Sequence, residues 1–268
     1  MDHLQAMGSS VHTAEANRQA RQDGTADEAS GRLRLRVPMA FAVHQLAKHL
    51  PDFLARFPKI TVDLHVPGAE DVDADQDHDL SIHWRDLPQR LAVRARRLAR
   101  SDVILCAAPE YLDRYGRPDK PAALAAHRLL LPSRTAGEPA RPMLLRGSLG
   151  AGAGRPAARV QRAVIPPRTR SPVSTPHAEL AYASALACMG ICGLPSFMVE
   201  DAVLEGALER VLPAWHLDRC AIWACTPARW PGTRPSQTSP GAQASQAMLG
   251  FLLEVFGGQD QDPWVRAG

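Results

Sequence analysis

Residues 31–66 read GRLRLRVPMAFAVHQLAKHLPDFLARFPKITVDLHV, and this stretch decides the fold class. Arg32-Leu33-Arg34-Leu35-Arg36-Val37 alternates polar with apolar, the period of a strand with one covered face. Pro38 closes it. Leu46, Leu50, Phe53, Leu54 and Phe57 then recur at spacings of three and four, the stripe of an amphipathic helix. Pro51 lies inside the stripe and is expected to kink the helix, and Pro58 ends it. Ile60 to Val66 alternates again. Strand, helix and strand within a few tens of residues make a parallel crossover unit.

The same alternation continues outward. Leu80 to Trp84 reads as a third strand, entered from the acidic loop Asp71 to Asp79. That loop lacks the glycine and closing glutamate of a calcium loop and reads as solvated. Ala92–Leu98 and Asp102–Ala107 read as two further strands, and Pro109 opens a short helix. Residues 129–131 form a short apolar strand. Residues 134–172 carry little periodicity beyond weak strands at Met143–Leu145 and Val160–Ile165. Ser174 or Thr175 caps a nearly all-apolar helix, Ala178–Met189, which Gly190 is expected to end. Ile191–Pro195 is a buried strand, and Ser196 caps a helix Phe197–Glu205. Ala221–Cys225 is a late strand, 229–243 a Pro/Ser/Gln-rich loop, and Ala244–Phe256 the closing helix. The alternation of strands and helices specifies an α/β fold.

Composition narrows function mainly by exclusion. The 268 residues carry 31 basic and 28 acidic side chains, a formal net charge of +3. This balance does not make a nucleic-acid footprint, and Arg90, Arg94, Arg96, Arg97 and Arg100 read as a solvated strand edge. No secretory signal or membrane-length apolar run is present, so the expected location is cytoplasmic. The five cysteines, Cys106, Cys188, Cys192, Cys220 and Cys225, show no zinc spacing. They read as buried thiols. A redox switch is the alternative, and Cys188 and Cys192, four residues apart, are the pair a helix would align. No nucleophile elbow, phosphate loop, zinc-protease motif or dinucleotide fingerprint occurs; no enzyme, metal or cofactor is expected.

Four segments, in order, carry a family resemblance: residues 31–64 above, DLSIHW at 79–84, LARSDVILCAAPEYLDRYGRPDKPAALAAHRLLL at 98–131, and ELAYASALACMGICGLPSFMVEDAVLEGALERVLPAW at 179–215. Together they resemble the effector-binding domain of LysR-type transcription regulators over about residues 31–135 and 175–258. The resemblance implies a two-lobed, type II periplasmic-binding-protein-like fold, with a mixed sheet in each lobe and two crossover strands. It places lobe 1 at 31–108 with a return at 220–258, lobe 2 at 109–219, a flexible arm or linker-helix remnant at 1–30, and a tail at 259–268.

It further implies a small-molecule effector and no catalysis. The matching cleft positions are Pro38, Met39, Ala40 and Phe41 after the first strand, and His83 and Trp84 after the third. Ser133, Arg134, Ser174, Thr175, Leu194 and Ser196 follow in the second lobe. Met39 and Ala40 stand where the family often has Ser or Thr, which suggests an apolar ligand held by Trp84 and Phe41. Each position also has a structural reading: Trp84 as core, Thr175 as helix cap, Arg134 as solvated. The family's winged helix-turn-helix pattern is not found in residues 1–30, so DNA contact is expected only through a missing or separate reading head. The expected partner is a second copy or a full-length relative. A solute-binding protein of the same fold and a decayed gene product are the alternatives.

Overall fold

In the computed structural model, the described residues are 29–67, 78–84, 93–130, 143–148, 160–165, 175, 177–227, 240–258 and 262–265. The expected arm and the residues Ser133, Arg134 and Ser174 lie outside them, except for Ala29 and Ser30 at the arm's end. The chain forms two compact units, each assembled from separate stretches of sequence. Unit 1 comprises residues 1–98 and 222–259; unit 2 comprises 99–221 and 260–268. The sequence reading puts the boundaries at 108 and 219. The changes between units, at 98/99 and 221/222, fall inside the strands Val93–Ala107 and Asp218–Pro227.

Unit 1 is built on β1 (Gly31–Arg36), which pairs in parallel with β2 (Ile60–His65) on one side and β3 (Leu80–Trp84) on the other. The last strand, β11 (Asp218–Pro227), adds antiparallel to β3, with Trp84 opposite Ile222 and Ser81 opposite Cys225. Helix α1 spans residues 39–56: Met39–Phe41, a π-helical turn Ala42–Leu46, and the α-helix Ala47–Arg56. It runs on through Pro51. The departure from α geometry falls in the π turn a few residues earlier. Helix α5 (Pro240–Phe256) begins four residues earlier than the sequence suggested and packs against β1. Aromatic rings join α1 to α5: Phe53 meets Phe251 at 5.4 Å and Phe41 meets Phe256 at 5.6 Å. Leu33 and Leu35 of β1 are fully buried.

The arginine face of β1 is neutralised by neighbours. Arg32 pairs with Asp63 of β2. Asp79, buried at the entry to β3, takes the Arg34 backbone N–H at 2.9 Å and its guanidinium Nη2 at 3.1 Å. Asp79 also faces the start of α5, where a Cβ on Gly241 would lie 2.8 Å from its carboxylate.

Unit 2 begins along β4 (Val93–Ala107), one strand rather than the two expected. Arg100 and Ser101 look like a break in the sequence. Ser101 is nevertheless fully buried, with its hydroxyl 2.7 Å from that of Ser196, so a polar residue stays in the strand. β4 pairs antiparallel with β8 (Ile191–Pro195) and with β9 (Glu209–Val211); β8 pairs in parallel with β5 (Leu129–Leu130). β6 (Met143–Ser148), β7 (Val160–Ile165) and β10 (Trp215–His216) form a separate antiparallel sheet. Gly147 is required there: a Cβ would lie 2.9 Å from the Trp215 ring.

The helices of unit 2 are α2 (Pro109–Tyr115), α3 (Ala178–Leu186) and α4 (Ser196–Leu204), with a 3₁₀ turn at Pro121–Ala126. Leu105, Tyr111, Leu124, Leu145, Ile191 and Val211 meet in one core. Tyr111 buries its ring and accepts the Arg128 N–H at 3.0 Å. Helix α3 stops short of Gly190. Cys188, with φ of 57°, takes the left-handed position, and the Met189 N–H reaches back to the Ser184 carbonyl at 3.1 Å. Gly190 serves close packing instead: a Cβ there would lie 2.5 Å from the Arg128 carbonyl oxygen. Residues 262–265 are packed into unit 2 rather than trailing as a tail. The Asp262 carboxylate accepts from Ser196 Oγ at 2.7 Å and from the Asp102 N–H at 2.6 Å, and Trp264 meets Phe197 edge-on.

Candidate functional site

The C-terminal ends of parallel strands are where an α/β sheet presents side chains and helix N-termini to a ligand. In unit 1 these are the ends of β1 and β3. β1 runs into Val37 and Pro38, whose extended backbone leads directly into α1. Pro38 is half-buried and Met39 is 48% exposed, so both offer surface. Ala40 and Phe41 do not. Both are buried, and the Phe41 ring is spent on Phe256 in the core. The expectation that Phe41 forms an aromatic wall is therefore corrected; the period of α1 turns it inward.

His83 and Trp84 close β3, both half-buried, on opposite faces of the strand. His83 Nε2 lies 2.9 Å from Ser81 Oγ, and that hydroxyl reaches the Cys225 carbonyl at 3.5 Å. Ser81 is the register partner of Arg36, the last residue of β1, and Arg36 is also the partner of His65 on β2. Register partners share a face. The ends of these strands thus carry Arg36, Ser81 and His83 side by side, with Arg36 only 9% exposed. The sequence reading missed Arg36 and Ser81. Arg36 is distinguishable in retrospect: of the three alternating arginines it lies deepest, beyond the two whose acids are Asp63 and Asp79.

In unit 2 the nominated residues that are described, Thr175, Leu194 and Ser196, are engaged within the fold. Thr175 is buried and its Oγ1 accepts the His177 N–H at 3.1 Å, in the turn leading into α3. Leu194 is fully buried opposite Ile104 of β4. Ser196 opens α4 without capping it. Its hydroxyl joins Ser101 to Asp262 in a buried chain. Burial pushes the Asp262 carboxyl above its ordinary pKa, against the pull of the donors Asp102 N–H, Ser196 Oγ and Trp264 N–H. Among the described residues no three His, Cys, Asp or Glu converge as metal ligands, and no helix is long and apolar enough to cross a membrane.

Parallel crossovers, two discontinuous units and polar strand ends define a mixed α/β fold of the periplasmic-binding-protein-like class. Residues 26–255 match the LysR substrate binding domain, and the chain belongs to that family. A HTH-type transcriptional regulator of Xanthomonas campestris is 32% identical over 130 residues, covering 48% of this chain and 36% of that protein. The uncharacterized HTH-type regulator YhjC of Escherichia coli is 28% identical over 211 residues, covering 78% of this chain and 64% of that protein. The matches thus span under two thirds of both relatives. CrgA, a LysR-type regulator from Neisseria meningitidis, superposes with a TM-score of 0.70 at 20% identity, covering 94% of this chain and 77% of that one. Its regulatory domain alone gives 0.65 at 21% identity, with 85% and 100% covered.

Proposed function

We propose that this chain is the effector-sensing part of a LysR-type transcription regulator and takes a small anionic molecule at the strand ends of unit 1. The observation that carries this reading is the pairing of Arg36 with Ser81, whose hydroxyl lies 2.9 Å from His83 Nε2 on the same face. A mostly buried guanidinium beside a hydroxyl and an imidazole suits a carboxylate, because charge-assisted hydrogen bonds gain strength away from water. Pro38 and Met39, which follow Arg36 in the chain, supply apolar surface beside it. The apolar ligand suggested by Met39 and Ala40 thereby gives way to an acidic one with an apolar body. No bond is made or broken in the effector. The test is a thermal-shift screen of small aromatic and aliphatic carboxylates beside their neutral amides. The expected result is an upward shift with acids only, lost in Arg36→Gln and reduced in Ser81→Ala. Equal shifts with acids and amides, or an unchanged shift in Arg36→Gln, overturns the reading.

DNA recognition is assigned outside residues 26–255. The family matched there is the substrate-binding domain, and the near-balanced charge offers little electrostatic attraction to phosphates. Fluorescence anisotropy with this domain is expected to show only weak, salt-sensitive binding; a sequence-selective nanomolar complex contradicts it. Self-association is assigned to α1 and α4, which expose Val43, Leu54 and Leu204. Sedimentation is expected to give a dimer at tens of micromolar, about the range a modest interface needs.

A further inference from the structure

The thiol pair that sequence spacing singles out, Cys188 and Cys192, is not the pair the fold brings together. Cys188 sits at the left-handed end of α3, near Glu110. Cys192 lies in β8, and its register partner across the antiparallel ladder is Cys106 of β4. Both are free thiols and both are fully buried. Directly opposed residues of an antiparallel pair have Cα atoms about 4.5–5.5 Å apart and side chains on one face. A disulfide accepts Cα separations of about 4.4–6.8 Å. The backbone of β4 and β8 therefore already stands where a bridge needs it. No other two cysteines oppose one another in the described register.

A cation adjoins this rung, and a small void lies beyond it on the Arg210 side. On the other side of β4 the partner of Cys106 is Arg210 of β9, so Arg210, Cys106 and Cys192 run in order across three strands. Arg210 Nη2 donates to the Pro213 carbonyl at 3.1 Å, while its buried Nε has no hydrogen-bond acceptor among the described residues. Arg210 and Ile104, the latter two residues from Cys106 and on the same face of β4, line a cavity of about 90 Å³ with Ser196, Val203 and Trp264. That is room for a molecule the size of hydrogen peroxide or water.

We propose that Cys106 and Cys192 are a latent disulfide site of unit 2, closed by a small hydroperoxide. In the first step the Cys106 thiolate, next to the Arg210 charge, attacks one peroxide oxygen. The O–O bond breaks, and the departing hydroxide leaves as water with a proton. In the second step the Cys192 thiolate attacks the sulfenic sulfur, the S–O bond breaks, and a second water departs. Two thiols and one hydrogen peroxide thus give one disulfide and two waters, the peroxide being reduced by two electrons.

The reaction is slow at neutral pH. Burial pushes the Cys192 thiol up to about 12 and the Cys106 thiol well above its ordinary value, with Arg210 pulling the latter partly back. Only the thiolate attacks, so the rate rises about tenfold per pH unit below the thiol pKa. The site accordingly records sustained oxidation rather than a brief pulse. The bridge ties β4 to β8, the strand between β4 and β5, and so pins the sheet of unit 2.

The experiment treats the whole chain with hydrogen peroxide at a series of pH values, quenches, alkylates the remaining thiols after denaturation, and maps peptides without reduction. The expected result is a cross-linked Cys106–Cys192 peptide two hydrogens lighter than its parts, with three of the five cysteines still alkylated. Its rate should keep climbing past pH 9, about tenfold per unit. Cys188→Ser retains the bridge, and Cys106→Ser and Cys192→Ser lose it. Because the wild-type map alone decides the pairing, a variant that fails to fold leaves the test intact. Five alkylated cysteines after prolonged treatment, sulfinic or sulfonic acid at Cys106 without a cross-link, or Cys192 bridged to Cys188 overturns the proposal.

Discussion

β1 and β8 are both short strands with a neighbour on either side, yet they are written in different alphabets. β1 alternates leucine with arginine, burying Leu33 and Leu35 while two of its arginines reach for acids on neighbouring segments. β8, Ile-Cys-Gly-Leu-Pro, is buried at every position. β1 therefore takes its register from both apolar alternation and charge. β8 has no charge to place, and its fit depends on shape: a glycine just before it, a thiol opposite a thiol, and a serine at its end. The difference shows that a strand covered on one face is specified by pattern, whereas one covered on both is specified by close packing.

The comparison can be broken first at its shared apolar layer. Leu35→Ala empties a fully buried site over which α5 closes, and is expected to cost about 2–5 kcal/mol in urea unfolding. A loss under 1 kcal/mol, about what an exposed leucine would give, would mean that α5 does not seal β1. Gly190→Ala comes next. Its Cβ would meet the Arg128 carbonyl oxygen, which already accepts the Ile191 N–H at 2.8 Å, so β8 must shift against β5 at a cost of about 1–3 kcal/mol. Gly206→Ala, at φ of 75° with open space around it, is the control: it should lose about 1 kcal/mol of backbone strain alone.

Asp79→Asn probes the charge half of β1. The Arg34 backbone N–H keeps an acceptor, but the ionic bond to the guanidinium is lost. Because Arg34 is half exposed and partly screened, about 1–2 kcal/mol is expected. Salt titration should reproduce part of the loss in the wild type. Smallest of all is Arg117→Ala. Arg117 bonds to Glu209 and Asp113 entirely in solvent, and its thermal midpoint should match the wild type within error. A clear drop would show that surface ion pairs stabilise unit 2 more than its close packing implies.

Legibility in the sequence follows the same division. β1, α1 and β2 were recoverable from periodicity, because each has one wet face, and β3 from the alternation of Leu80, Ile82 and Trp84 with Ser81 and His83. The break read at Arg100-Ser101 does not exist, and the kink expected at Pro51 falls in a helix that runs on through it, with a π turn just before. α1 carries its proline within an α-helix, and Ser101 finds a partner in Ser196, a residue far away in sequence that local reading cannot see. The opposition of Cys106 and Cys192 is hidden for the same reason. At the candidate site, the family resemblance pointed to His83 and Trp84, while Phe41 was misjudged because α1 turns it toward Phe256. Arg36 and Ser81 emerge only once β1 and β3 are laid in register.

The division of unit 1 between residues 1–98 and 222–259 bears on how the molecule is born. A ribosome releases β1 early and α5 only after all of residues 99–221 have been made. Until then Leu33, Leu35 and Phe53 have no α5 to cover them, and Phe41 lacks its partner Phe256. Such long sequence separation slows productive folding and leaves an apolar strand exposed for seconds at ordinary elongation rates, about 5–20 residues per second. Unit 1 is thus begun first and left open until most of unit 2 has been made, and during synthesis its half-built sheet is the part of the nascent chain that calls for a chaperone.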